Sequence, residues 1–156
     1  MFIKISDLRY VCVSQVSQIV LNKENHKISF NFTNSVSKRH KQEDVTLPAF
    51  HQIDYADQDI ANREFCRFEN LLKREFCFTF RDNDGKFDRI IFFDKINSLW
   101  LDEFSNDLIL NFGTTISENF RYNPKCLIEN YYKTTLDDKT LKDFKIFLNE
   151  FNIENN

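Results

Sequence analysis

The chain has 156 residues, 18 of them phenylalanine and only two of them glycine, and a formal net charge of −3. So little glycine excludes the Gly-rich loops that cradle phosphates and a flexible Gly-based linker. The mild charge fits neither a nucleic-acid binder driven by bulk electrostatics nor a heavily acidic DNA mimic.

In chain order, Phe2–Ile5 and Arg9–Val13 read as short strands, and Ser14-Gln15 turns the chain into a third, Val16–Asn22. After a polar turn over 23–26, Ile28, Phe30 and Phe32 alternate with Lys27, Ser29, Asn31 and Thr33. That period of two marks a strand with one buried face. The polar residues 34–45 read as a loop, followed by a strand over 49–55 behind Pro48, at a strand start where the missing N–H does least harm. A helix is expected over 60–73, with Ala61, Phe65, Phe68 and Leu72 on one face.

Two strands, Cys77–Phe80 and Arg89–Phe93, flank Asp82-Asn83-Asp84-Gly85. The segment reads as a hairpin turn, because glycine accepts the positive φ required. As a calcium loop it would need a ligand at Phe80, where there is none. Strands follow near 96–102, 107–112 and 126–133. The last helix is expected over 136–151, with Thr135 as N-cap, Asp138 three residues on, and Leu141, Phe144, Leu148 and Phe151 as its buried stripe.

The chain also resembles itself. Residues 9–37 match residues 89–117 at a shift of 80, with Val16, Ile19, Leu21, Ile28, Phe30 and Phe32 falling on Ile96, Leu99, Leu101, Leu108, Leu110 and Phe112. The match resumes at a shift of 76, where Pro48 meets Pro124 and Tyr55 meets Tyr131, as though the first copy held four extra loop residues. The pattern predicts an α+β fold built as a tandem internal repeat. Each copy, 1–74 and 75–156, has about five mostly antiparallel strands and a C-terminal helix in a pseudo-twofold arrangement. Copies of roughly 75 residues are marginal as independent cores, so they are expected to pack as one unit.

No catalytic signature is present: no Walker lysine loop, no Gly-x-Ser-x-Gly elbow and no paired His or Cys spacing for zinc. Neither a cofactor nor a metal is called for, and His26, His40 and His51 read as structural. Cys12, Cys66, Cys77 and Cys126 read as buried, reduced thiols, since Cys12 and Cys126 align with Phe92 and Phe50. No apolar run reaches the roughly 20 residues of a membrane helix. Residues 1–6 have no signal-peptide character, so a cytoplasmic location without a membrane partner is expected.

The departures between copies supply the site candidates. The first copy has the basic run Lys38, Arg39, His40 and Lys41, and the second has Phe120 and Tyr122 in the corresponding loop and Phe104 at a hairpin tip where the first has Glu24. Aromatics and arginine are enriched at interface hot spots. The expected function is a non-catalytic protein-binding module. A small phage or mobile-element inhibitor or immunity protein fits that description, with an anti-CRISPR protein as one example, and its partner would be a protein, such as a nucleic-acid-processing complex. The alternative is a nucleic-acid binder with Trp100, Phe104 and Tyr132 as stacking platforms on a sheet face. An enzyme of unrecognised type is the third reading.

Overall fold

Apolar alternation over residues 27–32 forms a strand whose inward side chains Ile28 and Phe30 are completely buried. The structure, a computed structural model, describes the backbone of residues 1–40, 43–119 and 123–151 and the side chains of residues 1–33, 50–112 and 131–151. Within them the elements run β1 (Phe2–Ser6), β2 (Arg9–Cys12), a 3-10 turn (Val13–Gln15), β3 (Val16–Asn22), β4 (Lys27–His40), β5 (Glu43–Asp54) and α1 (Gln58–Leu71). The second half follows the same order: β6 (Cys77–Arg81), β7 (Phe87–Phe92), a 3-10 turn (Phe93–Lys95), β8 (Ser98–Asp102), β9 (Asp107–Asn119), β10 (Asn123–Thr135) and α2 (Asp138–Phe151). The fold is α+β with three antiparallel sheets, ordered β1-β2, β10-β9-β8 and β5-β4-β3-β7-β6. The widest sheet therefore joins strands of both halves through the β3–β7 ladder.

Strand β7 serves two cores because its successive side chains point to opposite faces. Ile90 and Phe92 enter a first core with Ile3, Val11, Ile19, Phe30, Phe65 and Phe68. Ile91, with Phe93 just beyond the strand, enters a second core with Phe80, Leu108, Leu110, Phe144 and Phe147. Helix α1 buries Ala61, Phe65, Phe68 and, just past its end, Leu72, the face that its spacing predicts. Helix α2 buries Phe144 and Phe147, with Leu141 and Leu148 half-buried beside them. Its N-cap is not Thr135 but Asp137, whose Oδ1 accepts the Thr140 N–H at 2.7 Å, as Asp57 Oδ1 accepts the Ile60 N–H at 2.8 Å in α1. Thr135 instead donates its hydroxyl to Asp107 on the neighbouring strand.

Two further expectations are corrected. Residues 34–40 and 43–45 are not loop but strand, since β4 and β5 remain paired from Lys27–Asp54 out to His40–Glu43. The shift of 76 has no structural counterpart. The left-handed turn residues His26 and Asn106 lie 80 apart, as do the caps Asp57 and Asp137. Pro48 is mid-ladder opposite Ser35, whereas Pro124 is the second residue of β10. The structural counterpart of Tyr55 is Leu136. Tyr55 N–H donates to His26 O, and Leu136 N–H donates to Asn106 O, both at 2.9 Å.

Candidate interaction surface

Phe104 is held out by a well-tied turn. Its N–H donates to Asp102 Oδ1 at 2.9 Å, the Asp107 N–H donates to Ser105 Oγ at 3.3 Å, and Asn106 takes φ 59°. The Thr135 hydroxyl holds the Asp107 carboxyl below its ordinary range. The Phe104 ring is wholly exposed at 102%. On the same hairpin Trp100 points outward opposite Ile109, and Tyr131 on β10 is exposed opposite Asn111.

Lys38, Arg39 and His40 close β4, and the register sets Arg39 opposite Asp44 and His40 opposite Glu43. Lys41, Phe120 and Tyr122 lie outside the described residues. Phe104 is not gathered with the ribbon ends. It precedes β9 at Asp107, while that strand ends at Asn119. Twelve residue steps at about 3.4 Å each put the two ends roughly 40 Å apart.

Tyr132 does not present a stacking face. Its register partner is Leu110, so it points inward. Its hydroxyl donates to Asp82 Oδ1 at 3.1 Å, the Arg89 guanidinium lies 4.9 Å from its ring centre, and Phe80 packs beside it. Burial is the main cause that pushes its phenol up to about 12, and burial does the same for Tyr55. Cys77, also mainly through burial, is pushed up to about 12. A folded-state value above the unfolded one keeps the neutral form, so the associated stability is complete below the unfolded pKa near 9 for Cys and 10 for Tyr. It falls as pH rises towards 12. Tyr132→Phe should remove part of that alkaline loss while keeping the ring, read as a shallower decline of the midpoint of thermal unfolding between about pH 10 and 12. An unchanged slope would contradict it.

The arginines of α1 do not form a continuous basic strip, since Glu64 and Glu69 stand among them. Arg67 is tied to Glu64 at 2.8 Å and donates to Lys4 O at 2.9 Å, and its guanidinium lies over Phe68. Asp82–Gly85 is the hairpin turn its sequence predicts, with Gly85 at φ 72° and its N–H donating to Asp82 O at 3.0 Å. The cysteines differ from expectation: Cys66 is exposed, Cys12 and Cys77 are half-buried, and the side chain of Cys126 lies outside the described residues. The alignment behind the Cys126 reading also fails, since register makes Tyr131 the counterpart of Phe50, and Phe50 is exposed.

A cavity of about 440 Å³ opens where the ribbons leave their sheets, lined by Ser17, Gln18, Asn31, Phe50, Lys95 and Asn97 among others. Ser17 donates to Asn31 O at 3.1 Å, and Lys95 is paired with Asp94 at 3.1 Å. Among the described residues the cavity offers hydroxyls, amides, one ammonium and rings, with no nucleophile hydrogen-bonded to a base. Among the described residues no group of three His, Cys, Asp or Glu side chains is placed to hold a metal, and no helix is long and apolar enough to cross a membrane.

Sequence reasoning missed the exposed aromatic at Tyr10. The signal was available at a shift of 80, where Tyr10 stands against the fully apolar Ile90. No family model matches the chain, and no curated protein and no solved structure matches it.

Proposed function

We propose that this protein is a non-catalytic protein-binding module that seats a partner on its two β-ribbon arms and blocks the surface they cover. A small phage or mobile-element inhibitor acts in this way, an anti-CRISPR protein being one example. One observation carries the reading: both hairpins run on past their supporting strands. β3 pairs with β4 only as far as Phe32 and β8 with β9 only as far as Asn111, yet the ladders continue to His40–Glu43 and Asn119–Asn123. The arms touch each other, β5 lying against β9, and two ribbons that are each marginal in water would be stabilised further by a partner. The matching element order of the halves, with turns and caps 80 residues apart, supports tandem duplication as the origin of the paired arms.

A ribbon of this width also fits the major groove of DNA. The charges favour a protein. Lys38, Arg39 and Lys41 are followed by Glu43 and Asp44, with Asp44 directly across the ladder from Arg39 and Glu43 across from His40, and the second arm mixes Glu118, Arg121, Lys125 and Glu129. Phosphate binding draws on uncompensated cations.

The test is an arm-shortened chain with residues 34–49 replaced by Asn-Gly, which leaves the four-residue turn Phe32-Thr33-Asn-Gly between the register partners Asn31 and Phe50. It should unfold within about 5 °C of the full chain. It should also lose the stoichiometric, nuclease-resistant partner that the tagged full chain retains from its native cells. Replacing Phe120 and Tyr122 by Ser should weaken the same complex, with Phe104→Ser reporting whether the partner reaches the far end of β9. Capture undiminished by arm removal, or recovery of nuclease-sensitive material only, would defeat the proposal.

A further inference from the structure

The two halves are alike in order but not in closure. In the first half β3 has a strand on each side, β4 and β7. Among the described residues its counterpart β8 pairs with β9 alone, and β2, the counterpart of β7, pairs with β1 alone. The β1–β2 and β6–β7 ladders share their register, with Phe2 opposite Cys12 as Cys77 is opposite Phe92. Both free edges carry the exposure that closure removes elsewhere. Ile19 and Leu21 on β3 are 1% exposed, whereas Leu99 and Leu101 on β8 are only half-buried and Trp100 is 59% exposed. Ile90 on β7 is 1% exposed, whereas Tyr10 on β2 is 60% and the adjacent Leu8 is 92% exposed.

We infer that the chain self-associates as a two-fold dimer in which β2 of each copy pairs antiparallel with β8 of the other, in the register that β7 and β3 use within one copy. Strand β2 cannot reach β8 of its own chain. It is fixed in the first core by Val11 and by Val13 in the turn that leads straight into β3. A groove of about 450 Å³ separates Leu8, Arg9, Tyr10 and Val11 from Phe32, Phe50 and His51 of β4 and β5, and among the described residues no strand fills it. Transferring the observed pairs Gln18–Ile91, Ile19–Ile90, Val20–Arg89 and Leu21–Asp88 sets Ser98 against Val11, Leu99 against Tyr10, Trp100 against Arg9 and Leu101 against Leu8. The pairs are chemically complementary: two bring the half-buried Leu99 and Leu101 against the exposed Tyr10 and Leu8, and one lays a guanidinium beside an indole, an attractive cation–π pair. Asp7 would stand against Asp102 at the end of the ladder, with Lys4 already 4.0 Å from Asp7. Each junction would extend β10-β9-β8 by β2 and β1 of the other copy. The product is a five-stranded sheet with the same order as β5-β4-β3-β7-β6. A two-fold axis satisfies both edges at once, as isologous interfaces do, and an unpaired strand edge is a template for such pairing.

Light scattering coupled to size exclusion tests this on the full chain at about 100 μM protomer. The expected mass is twice the 18.8 kDa of one chain. Trp100→Lys, at an exposed position where folding is spared, places a cation against Arg9 and should weaken the dimer by about tenfold or more. Adding Arg9→Glu to that variant should restore the dimer through the new Lys–Glu pair. A single-chain mass throughout the concentration range overturns the inference. So does a dimer that Trp100→Lys leaves intact, or one that Arg9→Glu fails to restore while circular dichroism matches the parent. None of these readouts involves the arms or a cellular partner.

Discussion

Phe144→Ala is expected to lower the stability of the fold by about 3–5 kcal/mol, and the midpoint of thermal unfolding by roughly 10 °C. Phe144 is completely buried on α2. Its ring centre lies 5.3 Å from Phe78, 5.6 Å from Phe80, 5.6 Å from Phe93 and 6.1 Å from Phe147. Truncation removes the transfer free energy of the ring and leaves a cavity bounded by other rings. Those rings are rigid and held in place by one another, so the site collapses poorly, which puts the cost at the upper end of its class. The loss should not be confined to α2. Strand β7 lends Ile91 to the core around Phe144 and Ile90 and Phe92 to the core around Phe68, so the two cores share one wall. Far-ultraviolet and near-ultraviolet circular dichroism should therefore follow a single shifted transition. Phe68→Ala, which opens the other core beside Phe30 at 5.3 Å, should shift both signals in the same way. Two separated transitions in either variant would mean that the cores unfold independently, and a loss below about 1 kcal/mol would mean that the ring cluster relaxes.

The parts of this fold that touch a core were legible, because burial on one face imprints a period on the sequence. Ile28, Phe30 and Phe32 betray β4 in this way, and Ala61, Phe65, Phe68 and Leu72 betray α1. The arms were illegible for the same reason. A ribbon that leaves its sheet has no face that must be apolar, so residues 34–45 lose the alternation and read as loop although the ladder continues to His40–Glu43. With that strand misread, the coincidence of Pro48 with Pro124 passed for alignment, and four residues seemed to be missing from the second copy. The caps Asp57 and Asp137 lie 80 apart and the register-equivalent Phe50 and Tyr131 lie 81 apart, neither near 76, but Thr135 offers a capping pattern two residues too early. Tyr132 is a matter of register. Its inward direction follows once it is known to face Leu110, and that pairing is set across the whole length of the second hairpin rather than by any local signal. The open edges of β2 and β8 were invisible to composition. They emerge only when equivalent positions of the halves, such as Tyr10 and Ile90, are compared for burial.

Asp88→Ala should cost about 2–3 kcal/mol, less than the removal of one partner from a fully enclosed pair and more than that of any surface bridge. Asp88 is 4% exposed on β7. Its Oδ2 accepts from Arg81 at 2.8 Å across the β6–β7 ladder, and its Oδ1 faces the Lys23 ammonium at 3.2 Å. Arg81 also donates to Glu69 on α1 at 3.0 Å, so four side chains join the helix, β6, β7 and the β3–β4 turn. Burial alone would lower the Arg81 pKa, but its hydrogen bonds and attraction to Glu69 and Asp88 more than reverse that and raise it. Without Asp88 two cations face each other over apolar strand surface. Arg81 is about half exposed and Lys23 a quarter, so both can turn towards water, and this relief brings the expected cost below that of a sealed site. Two further measurements separate a buried chain of charges from an ornamental one. The loss should survive 1 M salt, at which the screening length is about 3 Å and exposed pairs contribute little. In a double-mutant cycle, Arg81→Met with Asp88→Leu should cost clearly less than the two single changes added together, because neither Arg81 nor Asp88 is left facing a vacated partner, while Lys23 and Glu69, each about a quarter exposed, can turn to water. A loss that vanishes in salt, or strict additivity in the cycle, would place these charges outside the energetics of the fold and leave the junction of helix and sheet to Phe65, Phe68 and Leu72 alone.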